Sequence, residues 1–129
     1  MRNSIFLRSL TALGLAVTTL GVVGIPALAE TVTGRSGGPQ NSDCGFVSQT
    51  ANHTVNITDA IAPLNVEVSS SGNYSLMIES DNGYSECIRS HSYDGGSIES
   101  MGAVPAGTYR IYVGDFDGAS HPFSMTVNE

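Results

Sequence analysis

Alternation of apolar and polar side chains along much of the chain is the feature that most constrains its fold. Five segments place an apolar residue at every second position: Val55 and Ile57; Leu64, Val66 and Val68; Tyr74, Leu76 and Ile78; Tyr109, Ile111 and Val113; and Phe123, Met125 and Val127. Successive side chains of a β-strand point to opposite faces, so each segment predicts a strand with one buried and one wetter face. No segment after residue 29 keeps the apolar period of an α-helix, and an all-β domain is therefore expected.

Turn dipeptides separate these segments. Asn82-Gly83, Asp94-Gly95 and Asp117-Gly118 adopt the positive backbone φ of tight turns at low cost. Shorter strand candidates lie at residues 45–50, 87–91 and 97–101. About eight short strands at this spacing predict a small antiparallel β-sandwich that is jelly-roll-like.

Residues 1–29 have the three parts of a secretory signal peptide in the correct order. Arg2 and Arg8 give a positive start, residues 10–23 are mostly apolar, and residues 27–29 (Ala-Leu-Ala) form a small-x-small cleavage site. A retained membrane anchor is the alternative. We predict cleavage after Ala29, no membrane insertion afterwards, and a secreted protein that is periplasmic or extracellular.

The rest of the chain divides into a leader and one domain. Residues 30–42 are rich in Gly, Ser, Thr and Pro without an apolar period, which predicts a flexible leader before a β-sandwich domain at residues 43–129. The formal net charge is −7. A surface this acidic repels phosphate backbones and anionic lipids, so nucleic acid is not an expected partner.

Cys44 and Cys87 are the two cysteines of the chain. A pair of cysteines in an exported protein predicts one disulfide, with two free thiols as the alternative. In the loop-entropy model such a bridge stabilises the fold by roughly 4 kcal/mol, which is a large share for a small core.

Catalytic residue patterns are weak in this sequence. His53, His91 and His121 lie in three separate segments, and no Gly-x-Ser-x-Gly motif occurs. An enzyme needs a convergent nucleophile, base and orienting group, and no such trio can be named. We therefore predict that the protein is not an enzyme; a small secreted hydrolase with an unrecognised site is the alternative.

Two groups of side chains are candidates for binding. Asp115 and Asp117 lie at the end of a strand, and they form a candidate calcium site together with Asp81 or Asp94 from neighbouring loops, because calcium takes six to eight oxygen ligands. Solvated turn acids are the alternative. The second group is a set of aromatic residues that could contact a protein or a glycan, with packing at the core edge as the alternative. Its members are Tyr84, Tyr93, Tyr112 and Phe116.

The segment from residue 107 to residue 116 (GTYRIYVGDF) resembles the penultimate strand of bacterial pre-peptidase C-terminal domains. A last alternating strand at residues 122–128 fits the same family, as does the piece at residues 72–78 followed by Cys87. The resemblance covers residues 43–128 and implies a small β-sandwich that accompanies secreted peptidases, is not itself catalytic and in some members binds calcium. Here we expect it as a stand-alone exported protein.

These observations predict a non-catalytic accessory or binding module of the cell envelope or extracellular space. Its partner would be a protein or a glycan, and calcium is the cofactor that would assist binding. A purely structural envelope component is a further alternative.

Overall fold

The computed structural model describes residues 29–90 and 97–129. The predicted signal peptide up to residue 28, together with Tyr93 and Asp94, lies outside the described residues. The described residues form ten strands, which are β1 (Glu30–Arg35), β2 (Gln40–Ser42), β3 (Gly45–Val47), β4 (His53–Pro63), β5 (Asn65–Ser69), β6 (Tyr74–Ser80), β7 (Ser85–Arg89), β8 (Ser97–Ser100), β9 (Ala103–Asp115) and β10 (Pro122–Asn128). In this part of the chain, no helix is long and apolar enough to cross a bilayer.

The strands pair into two antiparallel sheets, which confirms the predicted β-sandwich. Sheet I has the order β1-β10-β5-β8, and sheet II has the order β2-β3-β9-β6-β7, with β4 also paired to β9. Two more strands are present than the alternation pattern predicts, because β1 and β2 lie in the segment expected to be a leader.

The alternating apolar residues form the core between the two sheets. All of the apolar sets named above are buried, and Tyr109, Ile111 and Val113 are fully inaccessible. Their neighbours Arg110 and Tyr112 are only partly covered, which confirms the predicted register of β9. A shift of one residue would have buried the charged side chain, and burial of an unpaired charge is costly.

The sandwich has two ends of different construction. At one end, which we call the corner end, the β4–β9 pair of sheet II ends at Pro63 and Ala103. Both strands continue there into sheet I, β4 into β5 and β9 from β8. The β4–β9 ladder has a bulge between Ile57 and Ile61. The other end, the turn end, includes the connections at residues 36–39, 70–73 and 116–121.

The segment at residues 30–42 differs from the predicted flexible leader. β1 pairs with β10 in continuous register from Glu30 to Arg35, and β2 pairs with β3. Val32 packs against the core from this edge position. Backbone pairing, more than apolar burial, holds the strand, and a single Thr-Val-Thr alternation is too short to reveal it in the sequence.

A small second cluster covers the outer face of sheet II. Cys44 and Val47 pack on Met77 there, with Tyr112 beside them, and Ser75 Oγ donates to Cys44 O at 2.6 Å. The predicted disulfide between Cys44 and Cys87 is confirmed and joins this covering segment to β7. β6 is consequently buried on both faces, although the sequence pattern indicated only one.

Candidate functional site

The turn end brings three of the sequence-predicted site residues together: Asp115, Phe116 and Asp117. Tyr74 at the start of β6 pairs with Asp115 at the end of β9, so the connections that flank these strands lie side by side. Phe116 N–H donates to Asn73 O at 2.9 Å and fixes this contact.

Asp115 organises the loop between β9 and β10. Its carboxylate is fully buried, and Oδ1 accepts backbone N–H groups from Asp117 at 2.8 Å and from Ala119 at 3.1 Å. An aspartate that binds backbone groups two residues on forms the Asx type of turn. The role of Asp115 is therefore to shape the loop that displays the two residues after it.

His121 connects this loop to its neighbours. Its Nδ1 lies 3.5 Å from Asp115 Oδ2, and both atoms are buried without a hydrogen-bond partner among the described residues. Its ring packs on Gly72, where φ is +77° and an added Cβ would lie 2.7 Å from the ring. A side chain at position 72 would therefore displace the ring.

Ser36, His121 and Asp115 place a serine, a histidine and an aspartate at one location. Ser36 Oγ, however, accepts the backbone N–H of His121 at 3.0 Å, and the Ser36 N–H donates to His121 O at 2.8 Å. Activation of a serine nucleophile requires its hydroxyl to donate to the imidazole ring. The serine here binds the histidine backbone, so this arrangement holds two connections together.

The outer part of the turn end combines the half-buried Asn73 and Phe116 with the exposed Arg89 and Asp117, and we call these four residues the Phe116 surface. The Arg89 guanidinium lies 3.9 Å from the centroid of the Phe116 ring, and its Nη2 donates to Asn73 Oδ1 at 3.3 Å. Asn73 Nδ2 in turn donates to Asp117 Oδ1 at 3.3 Å. The surface combines an aromatic ring, a cation, an amide and a carboxylate.

Asn73 and Arg89 were missed at the sequence level. Arg89 comes from β7, where it pairs with Ser75 of β6, and Asn73 precedes β6. Proximity between them depends on strand register, which alternation alone does not give. The sequence signal that could have identified Arg89 is the scarcity of arginine after residue 29, where only Arg35, Arg89 and Arg110 occur.

Asp81 does not join the other predicted metal ligands. It follows β6 at the end opposite Tyr74, and its Oδ1 is 2.9 Å from Arg110 Nη1. The length of β6 puts it about 20 Å from Asp115 at ~3.3 Å per residue, so one cation cannot bind both. Within residues 29–90 and 97–129 no group of three or more His, Cys, Asp or Glu could hold a metal ion. Asp81 therefore lies apart from Asp115 and Asp117, Asp94 lies outside the described residues, and calcium binding stays a prediction.

Tyr84 and Tyr112 pack at the core edge, away from the Phe116 surface. Tyr84 lies edge-on to Tyr109, with ring centroids 5.6 Å apart, and its hydroxyl donates to Glu86 Oε1 at 3.0 Å. Burial, followed by this bond to Glu86, raises the pKa of Tyr84 to about 12. Tyr112 packs on the cluster around Met77. Of the predicted aromatic residues that the structure describes, only Phe116 lies at the turn end.

Comparison with known proteins gives one relative and one structural neighbour. No family model matches the chain. An uncharacterized protein of Synechococcus elongatus is 34% identical over 101 residues, which are 75% of this chain and 73% of that protein. The crystal structure of the pre-peptidase C-terminal domain of a Bacillus anthracis collagenase matches with a TM-score of 0.55 and 17% identity, over 78% of this chain and 90% of that domain. This match confirms that the fold is that of a pre-peptidase C-terminal domain.

Proposed function

We propose that this chain, which belongs to the same family as the Synechococcus elongatus protein, is a non-catalytic exported binding module of the cell envelope or extracellular space. Its fold is that of an accessory domain in a collagenase, which supports a role in contact rather than chemistry. The Cys44–Cys87 bridge supports export, because disulfides persist in oxidising compartments.

The observation that carries the proposal is the Phe116 surface. Its ring and polar groups come from three separate segments that are hydrogen-bonded to one another, so the surface is ordered before any partner arrives. Preorganised side chains lose little conformational entropy on binding. An aromatic residue with fixed polar neighbours fits contact with a protein or a glycan.

Capture from the envelope fraction and medium of the producing cell tests the proposal, with calcium present and absent. Phe116→Ala should abolish capture of a defined partner because it removes the aromatic centre of the surface. Met101→Ala is the control, since it removes an apolar side chain that is 68% accessible and lies beyond β8 at the corner end. Equal capture by wild type and Phe116→Ala would contradict the proposed surface.

A further inference from the structure

We infer that the corner end is a second docking surface, which binds an extended polypeptide segment with an apolar centre and basic residues on either side of it. This surface is separate from the Phe116 surface, so the inference goes beyond the proposed function. It is carried by an exposed apolar patch, by the carboxylates that border this patch on two sides, and by the location of the arginines.

An apolar patch covers the outward face of the strands that pass between the two sheets. In the β4–β9 ladder, Ala62 pairs with Val104 and both pack toward the core, so the residues next to them face outward. Ile61 and Met101 are 71% and 68% accessible, and they are the exposed large hydrophobic residues of the described chain. The outward residues, which we call the corner patch, are Ile61, Pro63, Met101, Ala103 and Pro105.

The corner patch is continuous. Ile61 pairs directly with Pro105, and Pro63 pairs with Ala103. Directly opposed residues of neighbouring strands lie about 5 Å apart, close enough for their side chains to touch. Isolated apolar residues on a surface need no explanation, whereas a contiguous exposed group marks a site of interaction.

Carboxylates border the corner patch on two sides. On the sheet I side, Glu67 and Glu99 are directly opposed in the β5–β8 ladder, and both are exposed. Like charges in opposed positions destabilise a sheet, so a cation bound between them would relieve this repulsion. On the other side, a cleft of about 540 Å³ adjoins the patch at Pro63. The acidic residues that line this cleft are Glu30, Asp59 and Glu129.

The arginines of the chain do not neutralise these carboxylates. The chain contains no lysine, and after residue 29 its arginines are Arg35, Arg89 and Arg110. The first two lie at the turn end, and the third is paired with Asp81 at 2.9 Å. His53 Nε2 lies 3.5 Å from Glu30 Oε1 and is the basic group nearest to the cleft among the described ion pairs. Cleavage after Ala29 would add one amino group beside three carboxylates, so the cleft keeps its negative charge.

This arrangement selects a basic and apolar polypeptide over other occupants. A second copy of the chain would bring its own carboxylates against those of the first, and an anionic membrane would be repelled in the same way. A small cation would leave the corner patch uncovered. The strands separate Ile61 from the Glu67–Glu99 pair by about 20 Å at ~3.3 Å per residue, which an extended segment of about six residues spans.

A synthetic peptide of about nine residues tests the inference, with arginines at both ends and alternating leucine and alanine between them. One comparison peptide has glutamate in place of arginine, and another has serine in place of leucine. Affinity for the exported protein is measured by calorimetry at low and high salt. The basic apolar peptide should bind, and added salt should weaken it, because exposed charge pairs are screened. The two comparison peptides should bind about tenfold or more weakly, since each lacks one half of the complementarity.

Variants locate the peptide on the protein. Ile61→Ala should reduce affinity about fivefold or more, because it removes much of the exposed apolar side chain. Glu99→Gln should reduce affinity about twofold to fivefold, as expected for an exposed charge pair, and should weaken the salt dependence. Both side chains are exposed, so both variants should keep the cooperative unfolding transition of the wild type.

Matched controls change the same chemistry elsewhere. Asp43→Asn removes one exposed carboxylate between β2 and β3, and Phe116→Ala removes an apolar ring at the turn end. Both should leave the affinity for the peptide unchanged. Met101→Ala should weaken the peptide while it leaves capture through the Phe116 surface intact, so the two surfaces can fail independently.

Each other outcome overturns the inference. Absence of binding, or equal binding of the basic and the glutamate peptides, would exclude recognition of a basic segment. Equal binding of the serine peptide would exclude the corner patch, as would an affinity that Ile61→Ala leaves unchanged or that Phe116→Ala reduces equally. Sedimentation of the free protein completes the test: a dimer that Ile61→Ala dissociates would assign the patch to a second copy of the chain.

Discussion

At the scale of single residues, buried polar groups of this protein shape the surface that partners meet. Asp115 has no exposure, yet its Oδ1 sets the loop that carries Phe116 and Asp117. Glu86 of β7 accepts hydrogen bonds from the Tyr84 hydroxyl and, at 2.6 Å, from Ser100 Oγ of β8. This carboxylate therefore links the two sheets.

Asp115→Ala should lower the free energy of unfolding by about 2–5 kcal/mol, because two backbone N–H groups lose a charged acceptor. Asp115→Asn should cost clearly less, since the amide oxygen can still accept both. Urea unfolding of the two variants measures the difference. An alanine variant as stable as wild type would show that Asp115 does not hold the turn.

Stability should fall in strongly alkaline solution. The pKa of Tyr84 rises from 10.0 to about 12 on folding, so the unfolded chain releases this proton at a lower pH than the folded protein. The contribution of Tyr84 to the free energy of unfolding is fully present below pH 10 and is lost as the pH rises toward 12. Burial also raises the pKa of Tyr74, so Tyr84→Phe should reduce the alkaline decline without removing it. Free energies of unfolding are measured for wild type and Tyr84→Phe from pH 10 to pH 12. A parallel decline in the two proteins would disprove the role of Tyr84.

At the scale of strands, position in the sheet determines what each element contributes. β10 is paired on both sides, by β1 and β5, whereas β1 is an edge strand. The covering segment around Cys44 has little regular structure but is attached to β7 through the disulfide.

Deletion of residues 123–129 should abolish the cooperative unfolding transition, because it removes three core side chains and both ladders of β10. Deletion of residues 30–35 should leave a folded domain of lower stability, since only one ladder is lost. Thermal unfolding by circular dichroism separates the cases. A C-terminal deletion that keeps its transition would contradict the architecture.

Reduction of the disulfide should lower the melting temperature by several degrees or more, as expected when a small domain loses a few kcal/mol. Met77 and Tyr112 should become more accessible in the reduced protein, because their cover is no longer attached to β7. Calorimetry with and without reductant measures the shift, and Cys44→Ser with Cys87→Ser is the control that should not respond to reductant.

The sequence predicted those parts of the molecule whose signal lies within a single segment of the chain. Alternation identified the inward faces of β4, β5, β6, β9 and β10, and the cysteine pair predicted the bridge. β1 was missed because backbone pairing leaves no side-chain pattern. The Phe116 surface was identified only in part, because Asn73 and Arg89 meet Phe116 through strand register.

At the scale of the whole molecule, the sandwich is consistent with a secreted domain that begins at Glu30. Cleavage after Ala29 would leave β1 complete, because the strand begins at the following residue. Intact-mass measurement of the exported protein should therefore give a chain that starts at Glu30. A mature mass that still contains residues 1–29 would contradict the signal-peptide prediction.

The pairing of β1 with β10 also sets an order of events in time. These strands are the first and the last of the described chain, and they are neighbours in sheet I. Whether the polypeptide is delivered by a ribosome or through a membrane pore, its amino end arrives first and must wait for residues 122–128 before sheet I can close. Until then β5 lacks its β10 neighbour and presents an unpaired edge, which is the kind of surface that associates with other chains. Slow delivery of the carboxyl end would thus prolong the interval in which the β5 edge is open to other chains.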